Sequence, residues 1–276
     1  MSLRAPGLAR THSDVLVLCY HGVSQTWPAA TAIRPDQLER QLGALLRWGY
    51  EGSTFSKALT SPRSRRTVAI TFDDAHRSVM EVAYPIMLRL GIPGTVFVPT
   101  AFPDSGRPLE WEGVDMWLGG PYEREIACMS WSELRCLAES GWEIGSHTRS
   151  HPHLTQVDHQ RLEDEVRRSR SDVETHLERE CTSIAYPYGE CDARVAQAAW
   201  DAGYRVGATV SIAYPPPLPL QWPRIAVDRH EALRFHRRVS PVTRRLAQTR
   251  RGQALFAGAR GAKALGRRVT AKLPRE

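Results

Sequence analysis

The 276-residue chain contains no apolar run approaching the roughly 18 residues that a membrane-spanning helix requires, so nothing in it reads as an integral membrane segment. Its first fourteen residues, MSLRAPGLARTHSD, carry basic side chains. They lack the apolar stretch of roughly 7–15 residues and the small-residue cleavage site of a secretory signal, and the expected location is the cytoplasm. Cysteine is scarce and unpaired in pattern: Cys19, Cys128, Cys136, Cys181 and Cys191 are odd in number and include no CxxC. A disulfide framework and a thiolate zinc site are both excluded on that ground, so any metal must find other ligands. Acidic residues are almost missing from the C-terminal segment, where 234–276 hold thirteen Lys and Arg against Glu276 alone. The remaining 24 basic and 29 acidic residues leave 1–233 at a net charge of −5, so the overall +7 belongs to the tail. A nucleic-acid-binding role for the main body loses its support accordingly. Hydrophobic residues at 42% and charged residues at 24% are ordinary for a globular domain, which excludes disorder, collagen and coiled coil as descriptions of the whole.

What is present is a repeated junction, in which an amphipathic stretch ends in Gly and a large apolar residue opens a strand-like run. It occurs at Gly49-Tyr50, Gly91-Ile92, Gly141-Trp142 and Gly203-Tyr204. Glycine is favoured just past a helix because it takes the left-handed conformation at no Cβ cost. The preceding stretches agree: Leu38, Leu42 and Leu45 share a helical face before Gly49, as do Val79, Val82 or Ala83, Ile86 and Leu90 before Gly91. Ser130 with Glu133 makes a capping-box pattern for the helix that Gly141 closes. Another helix, long and charged, is predicted over about 160–178, its charges read as a solvated face. Between helices lie apolar runs at 15–20, 67–72, 95–98, 142–145, 183–186 and 205–209. Strands alternating with helices imply βαβ units and a mainly parallel sheet.

The reactive side chains choose among parallel architectures. His21 follows the first predicted strand, Asp73 and Asp74 the second, His147 and His151 the fourth, and Pro187-Tyr188 the fifth. Chemistry drawn from the carboxyl ends of so many strands suits a closed or nearly closed barrel better than one crevice. Residues 100–129, with Trp111, Trp117 and Tyr122, read as an aromatic insertion beside that face, and 215–219 as a stiff proline loop.

Three short clusters carry the chemistry. In Thr71-Phe72-Asp73-Asp74 adjacent carboxylates can divide labour, one binding a cation and its neighbour taking a proton, although Asp pairs in turns more often cap backbone amides. In Gly145-Ser146-His147-Thr148-Arg149-Ser150-His151-Pro152-His153 two imidazoles at a spacing of four can meet one divalent ion, against the plainer reading of a pair of surface histidines. One carboxylate and two imidazoles with open positions form a recurrent hydrolytic metal site. The third cluster is Ala185-Tyr186-Pro187-Tyr188-Gly189.

Together, and in this order, the three clusters resemble the TFDDG, HSxxH and RxPY motifs of the polysaccharide deacetylases of the NodB homology type, carbohydrate esterase family 4. The resemblance covers roughly 13–233 and implies an α/β fold, a distorted or incomplete (β/α) barrel, with 234–276 as a basic tail. It implies Asp73 as base, Asp74, His147 and His151 as metal ligands, and Tyr188 as the residue whose amide faces the developing oxyanion. It further implies Tyr186 and Pro187 at the groove wall, while Trp111 in the insertion could stack on a sugar ring. The expected cofactor is one divalent ion, Zn2+ foremost, with Co2+, Ni2+, Mn2+ and Fe2+ as alternatives. Three departures stand out. Ala75 replaces the usual Gly, Ala185 replaces an Arg that orients the base, and the final LxH motif has no clean match. Arg224 in Pro223-Arg224-Ile225 is the substitute partner for Asp73, and His21 or His230 the candidate for the acid.

The implied reaction is removal of an N-acetyl or N-formyl group from an amino sugar of a glycan or of a lipid-linked precursor. The basic tail, with Leu246, Leu255, Phe256, Leu265, Val269 and Leu273 among its charges, suits either an anionic membrane surface or a solvated arm. A catalytically silent carbohydrate-binding domain and a tail-driven nucleic-acid binder are the competing classes.

Overall fold

The computed structural model describes residues 15–61, 66–210 and 218–229, together with Phe235 and Val239. Two compact units divide the chain, Met1–Glu231 and Ala232–Glu276, and the basic tail falls in the second. The tail's amphipathic reading, His230 and most of the 215–219 loop lie outside the described residues.

Eight parallel strands form the first unit: β1 Val15–Tyr20, β2 Glu51–Ser53, β3 Thr67–Phe72, β4 Gly94–Val98, β5 Glu143–Ser146, β6 Ser183–Ala185, β7 Val206–Val210 and β8 Trp222–Ala226. Because β1 pairs with both β3 and β8, seven strands close into a ring in the order β1-β3-β4-β5-β6-β7-β8. The eighth, β2, pairs with the first half of β3, and β4 takes over that strand from Ile70 onward. The ring is uneven, since β1 and β3 share six residue pairs whereas β5 and β6 meet only at Ser146↔Ile184. The barrel expectation therefore holds, and the distortion lies in this unequal pairing. The predicted strands recur within a residue or so of their bounds; β2, only three residues long, and β8, which contains Pro223, were too weakly patterned to delimit.

One buried core cluster gathers Val15, Val17, Ala69, Phe97, Ala185, Val206, Ala208 and Trp222, with alternate residues of β1 and of β7 on the same side. Three alanines in this set make room for Phe97, Trp222 and, two residues after Trp222, Arg224. Helix α2 (Phe55–Thr60) contributes Phe55, Ala58 and Leu59 to the same core. Gly145 is demanded by close approach: a Cβ there would lie 2.6 Å from the Phe97 ring and 2.5 Å from Ser183 Oγ. Gly145→Ala is expected to lower the unfolding free energy by about 1–3 kcal/mol, readable as a shifted urea midpoint at unchanged slope.

The outer helices bury one stripe each, as their periodicity predicts. In α1 (Pro35–Arg47) Leu38, Leu42 and Leu45 are fully buried. Before α3 (Tyr84–Arg89) the chain makes a π-helical turn, Val79–Ala83. The wider turn advances the stripe, so Ala83 rather than Val82, and Met87 beside Ile86, face inward. The capping box of α4 (Trp131–Glu139) forms, with Ser130 accepting from the Glu133 N–H and Glu133 accepting from the Ser130 N–H. Helices α5 (His159–Leu177) and α6 (Ala193–Asp201) complete the wall. The expectation of a wholly solvated charged face on α5 is corrected at one position, because Glu165 is only 6% exposed.

Candidate active site

Every cluster singled out in the sequence lies at a strand's carboxyl end. β1 ends at Tyr20 and delivers His21, β3 ends at Phe72 and delivers Asp73 and Asp74, and β5 leads into His147. The turn after β3 is strained: Asp74 and Ala75 have φ of 69° and 52°, a conformation costing roughly 1–2 kcal/mol per non-glycine residue. Ala75 is thus tolerated in a glycine-like conformation, with its carbonyl accepting from the Met129 N–H at 2.8 Å.

The two adjacent carboxylates, both buried, meet different partners. Arg224, 1% exposed, reaches past β1 and donates from Nη1 to Asp73 Oδ1 and from Nη2 to Oδ2, each at 2.7 Å. Its Nη1 also donates to Thr71 Oγ1 at 3.0 Å, and the guanidinium lies 5.4 Å from the Phe97 ring centre. The Cys19 thiol adds a third donor to Asp73, at 3.3 Å from Oδ2. Burial alone would raise the pKa of Asp73, but the Arg224 charge and hydrogen bonds, together with the His147 and His21 imidazoles, outweigh it and hold the group at about 2. Asp73 is therefore ionised, and both its oxygens are fixed in direction.

Asp74 has no such guanidinium. Its Oδ1 faces His147 Nε2 at 3.4 Å and His151 Nε2 at 3.5 Å, and is a buried oxygen without a hydrogen bond. Its Oδ2 lies 3.6 Å from His76 Nε2. Burial opposes ionisation of Asp74, yet the His147 and His76 imidazoles hold its pKa well below the usual range. His147 is oriented by its other nitrogen, since Nδ1 donates to the Ala185 carbonyl at 2.8 Å and leaves Nε2 toward Asp74. His151 is oriented by packing instead: the Trp111 ring stacks on it at 4.0 Å and 15°, while its Nδ1 is buried without a partner. Burial lowers its pKa to about 3, which keeps it a neutral ligand type.

Asp74, His147 and His151 place their donor atoms within 4.8 Å of one another. Arg224 neutralises only one of the two buried carboxylates, so a negative charge remains at Asp74 beside two imidazole nitrogens. That donor set and charge fit a divalent cation. Cys19, His21 and Asp73 also bring donor atoms within 4.8 Å, but the Arg224 guanidinium already satisfies Asp73 and repels a second cation.

The remaining predicted residues divide. His21 sits beside Asp73, with a buried, unpartnered Nδ1 and a pKa lowered by burial. Tyr188 is 38% exposed at φ 59°, its ring stacked on His153 at 3.7 Å and edge-on to His151 at 4.8 Å. Its N–H makes no hydrogen bond among the described residues. Trp111 lies at the site, stacked on His151. Pro187 is buried at the turn, and Tyr186 is corrected from groove wall to core: it is fully buried, and its hydroxyl donates to the Leu220 carbonyl at 2.9 Å. Sequence reasoning missed His76 and Cys19. His76, whose Nδ1 donates to the Glu125 carbonyl at 3.0 Å, follows the Asp pair by two residues, and that proximity was the available signal. Nothing in the sequence distinguished Cys19 from other strand residues.

The closed parallel barrel thus brings a carboxylate–arginine pair and an Asp-His-His cluster together at its carboxyl face. Residues 60–207 match the family model described as Polysaccharide deacetylase, and the chain belongs to that family. YxkH of Bacillus subtilis (strain 168), named for the polysaccharide deacetylases, is 25% identical over 202 residues, covering 70% of this chain. The chain spans 63% of that relative's length. Among solved structures, the deacetylase PplD of Streptococcus pyogenes, in complex with acetate, superposes with a TM-score of 0.65 at 21% identity, covering 83% of this chain and 95% of that one. IcaB from Ammonifex degensii superposes at 0.62 with 22% identity, covering 86% and 97%. At these identities the structural likeness is one of fold.

Proposed function

We propose that this chain is a divalent-metal-dependent deacetylase that hydrolyses the N-acetyl amide of amino sugars in a polysaccharide or glycan precursor. The observation that carries the reading is the divergent fate of two adjacent buried carboxylates, one clamped by Arg224 and one left facing two imidazoles. A divalent ion held by Asp74, His147 and His151, with Zn2+ the best match to one carboxylate and two imidazoles, supplies Lewis acidity and an activated water. Asp73 accepts the water's proton from a direction set by Arg224. The Tyr188 N–H, without a hydrogen bond among the described residues, is the donor offered to an oxyanion, worth about 3 kcal/mol in comparable sites. His21, whose pKa burial lowers and whose donor atom lies within 4.8 Å of Asp73, is placed to relay the proton that Asp73 takes from water to the departing amine.

The departures that suggested a silent binding domain lose force here. Arg224 performs the orienting role that Ala185 cannot, and Ala75 adopts the turn that glycine would. The test is amine and acetate release from N-acetylglucosamine oligomers by metal-stripped protein with Zn2+ or Co2+ restored. Stripping is expected to lower the rate at least about a hundredfold, a loss of several kcal/mol in transition-state stabilisation, and restoration to recover it. Turnover indifferent to metal would refute the reading. Release of formate from N-formylated or lipid-linked aminosugars, with oligomers inert, would redirect it to that substrate.

A further inference from the structure

We propose that Glu165 of α5 is the positioning residue of the metal centre, holding the 148–151 loop in the one conformation that aims His151 at Asp74. This rests on the metal-centre reading above. His151 has no hydrogen bond at Nδ1 to direct its ring, unlike His147, so its aim depends on ring packing and on where the backbone places it. That backbone is not one the loop would choose. Thr148 and His151 have φ of 64° and 60°, and neither is glycine, so an outside restraint must over-determine the conformation.

Glu165 is that restraint. Its Oε2 accepts from the Arg149 N–H at 2.9 Å and the Ser150 N–H at 2.8 Å, and its Oε1 accepts from the Ser150 hydroxyl. No Lys or Arg pairs with this buried carboxylate among the described residues, so its charge is met by the loop's own donors. Charge-assisted bonds of this kind are roughly twice as strong as neutral ones. The same face of α5 continues the grip one and two turns on. Ser169 accepts from the Ser146 hydroxyl at 2.8 Å, and Asp172 accepts from the Thr100 hydroxyl at 2.6 Å. Thr100 and Ala101 in turn donate their N–H groups to the Thr148 and Arg149 carbonyls at 3.1 and 2.9 Å. The loop is thus held from both sides by a polar stripe at positions 165, 169 and 172.

In Glu165→Gln the carboxamide N–H₂ would face a loop donor, one or more bonds are lost, and the left-handed residues are free to relax. Zn2+ binding, measured on purified full-length protein by competition with a chromophoric chelator, is expected to weaken about 10- to 100-fold, as for outer-shell residues in other metal sites. The exposed Asp164→Asn on the same helix is expected to leave it unchanged. Melting of the metal-free proteins is read in parallel, because a merely structural role would lower stability without moving Zn2+ affinity. Wild-type affinity in a folded Glu165→Gln overturns the proposal. If that variant does not fold, Ser150→Ala removes one of the three bonds; a loss of about fivefold is expected, and unchanged affinity overturns the proposal. Wild-type protein that fails to bind Zn2+ would overturn the metal-centre reading itself, a separable failure.

Discussion

Asp73→Asn is expected to lower the deacetylation rate by about 100- to 10,000-fold while leaving Zn2+ affinity nearly unchanged, because a general base contributes catalysis without ligating the ion. The amide has the carboxylate's shape but no proton affinity. One of its two ends, the N–H₂, must also face Arg224, which donates to both positions in the native protein. Rate and affinity measured on the same preparations separate the roles of the two neighbouring carboxylates. A parallel fall in Zn2+ affinity would make Asp73 a ligand rather than a base, and retained turnover would place the base elsewhere.

Arg224→Met carries the largest expected effect on stability. The arginine is fully desolvated, and so is its partner, so removing it strands a buried carboxylate. Breaking such a pair typically costs about 3–5 kcal/mol, well above an exposed pair such as Arg40–Asp36. The pH dependence fixes the cause. In the native protein Asp73 is held at about 2, below its unfolded value, so the pair's contribution is present above the unfolded pKa and lost as pH falls toward 2. Without Arg224, burial dominates and raises the Asp73 pKa above its unfolded value, so the variant recovers stability by taking up a proton in acid. The difference between native and variant urea midpoints should therefore narrow from pH 7 to pH 4. A difference that stays constant would mean that lost packing against Phe97, not the stranded charge, is responsible.

Elements whose signals are local were legible from the sequence. The alternation of amphipathic stretches with apolar runs, the glycine stops and the Ser130–Glu133 capping box depend on residues within a few positions of one another, and each appears where the pattern placed it. The Asp74, His147 and His151 cluster was legible for the same reason, since adjacent aspartates and histidines four apart are short-range patterns that come together once their strands are neighbours. Tyr186 was misread because its motif position says nothing of which way the ring turns, and in the barrel it turns inward to the Leu220 carbonyl. Glu165 was misread because a charge on a long charged helix is ordinarily solvated. Its place on the stripe of Leu162, Val166, Ser169 and Val173 was the overlooked hint.

The sequence by itself determined the alternating order of elements, the strand ends that carry chemistry, and the residue types able to hold a divalent ion. Only the tertiary structure decided which distant groups meet: Arg224 with Asp73, 151 residues apart, Glu165 with the amides of the 148–151 loop, and Trp111 with His151. The reason is range. Helix periods, caps and turns are set by interactions between near neighbours in the chain, whereas closing β1 onto β8 brings together residues whose meeting no local pattern encodes.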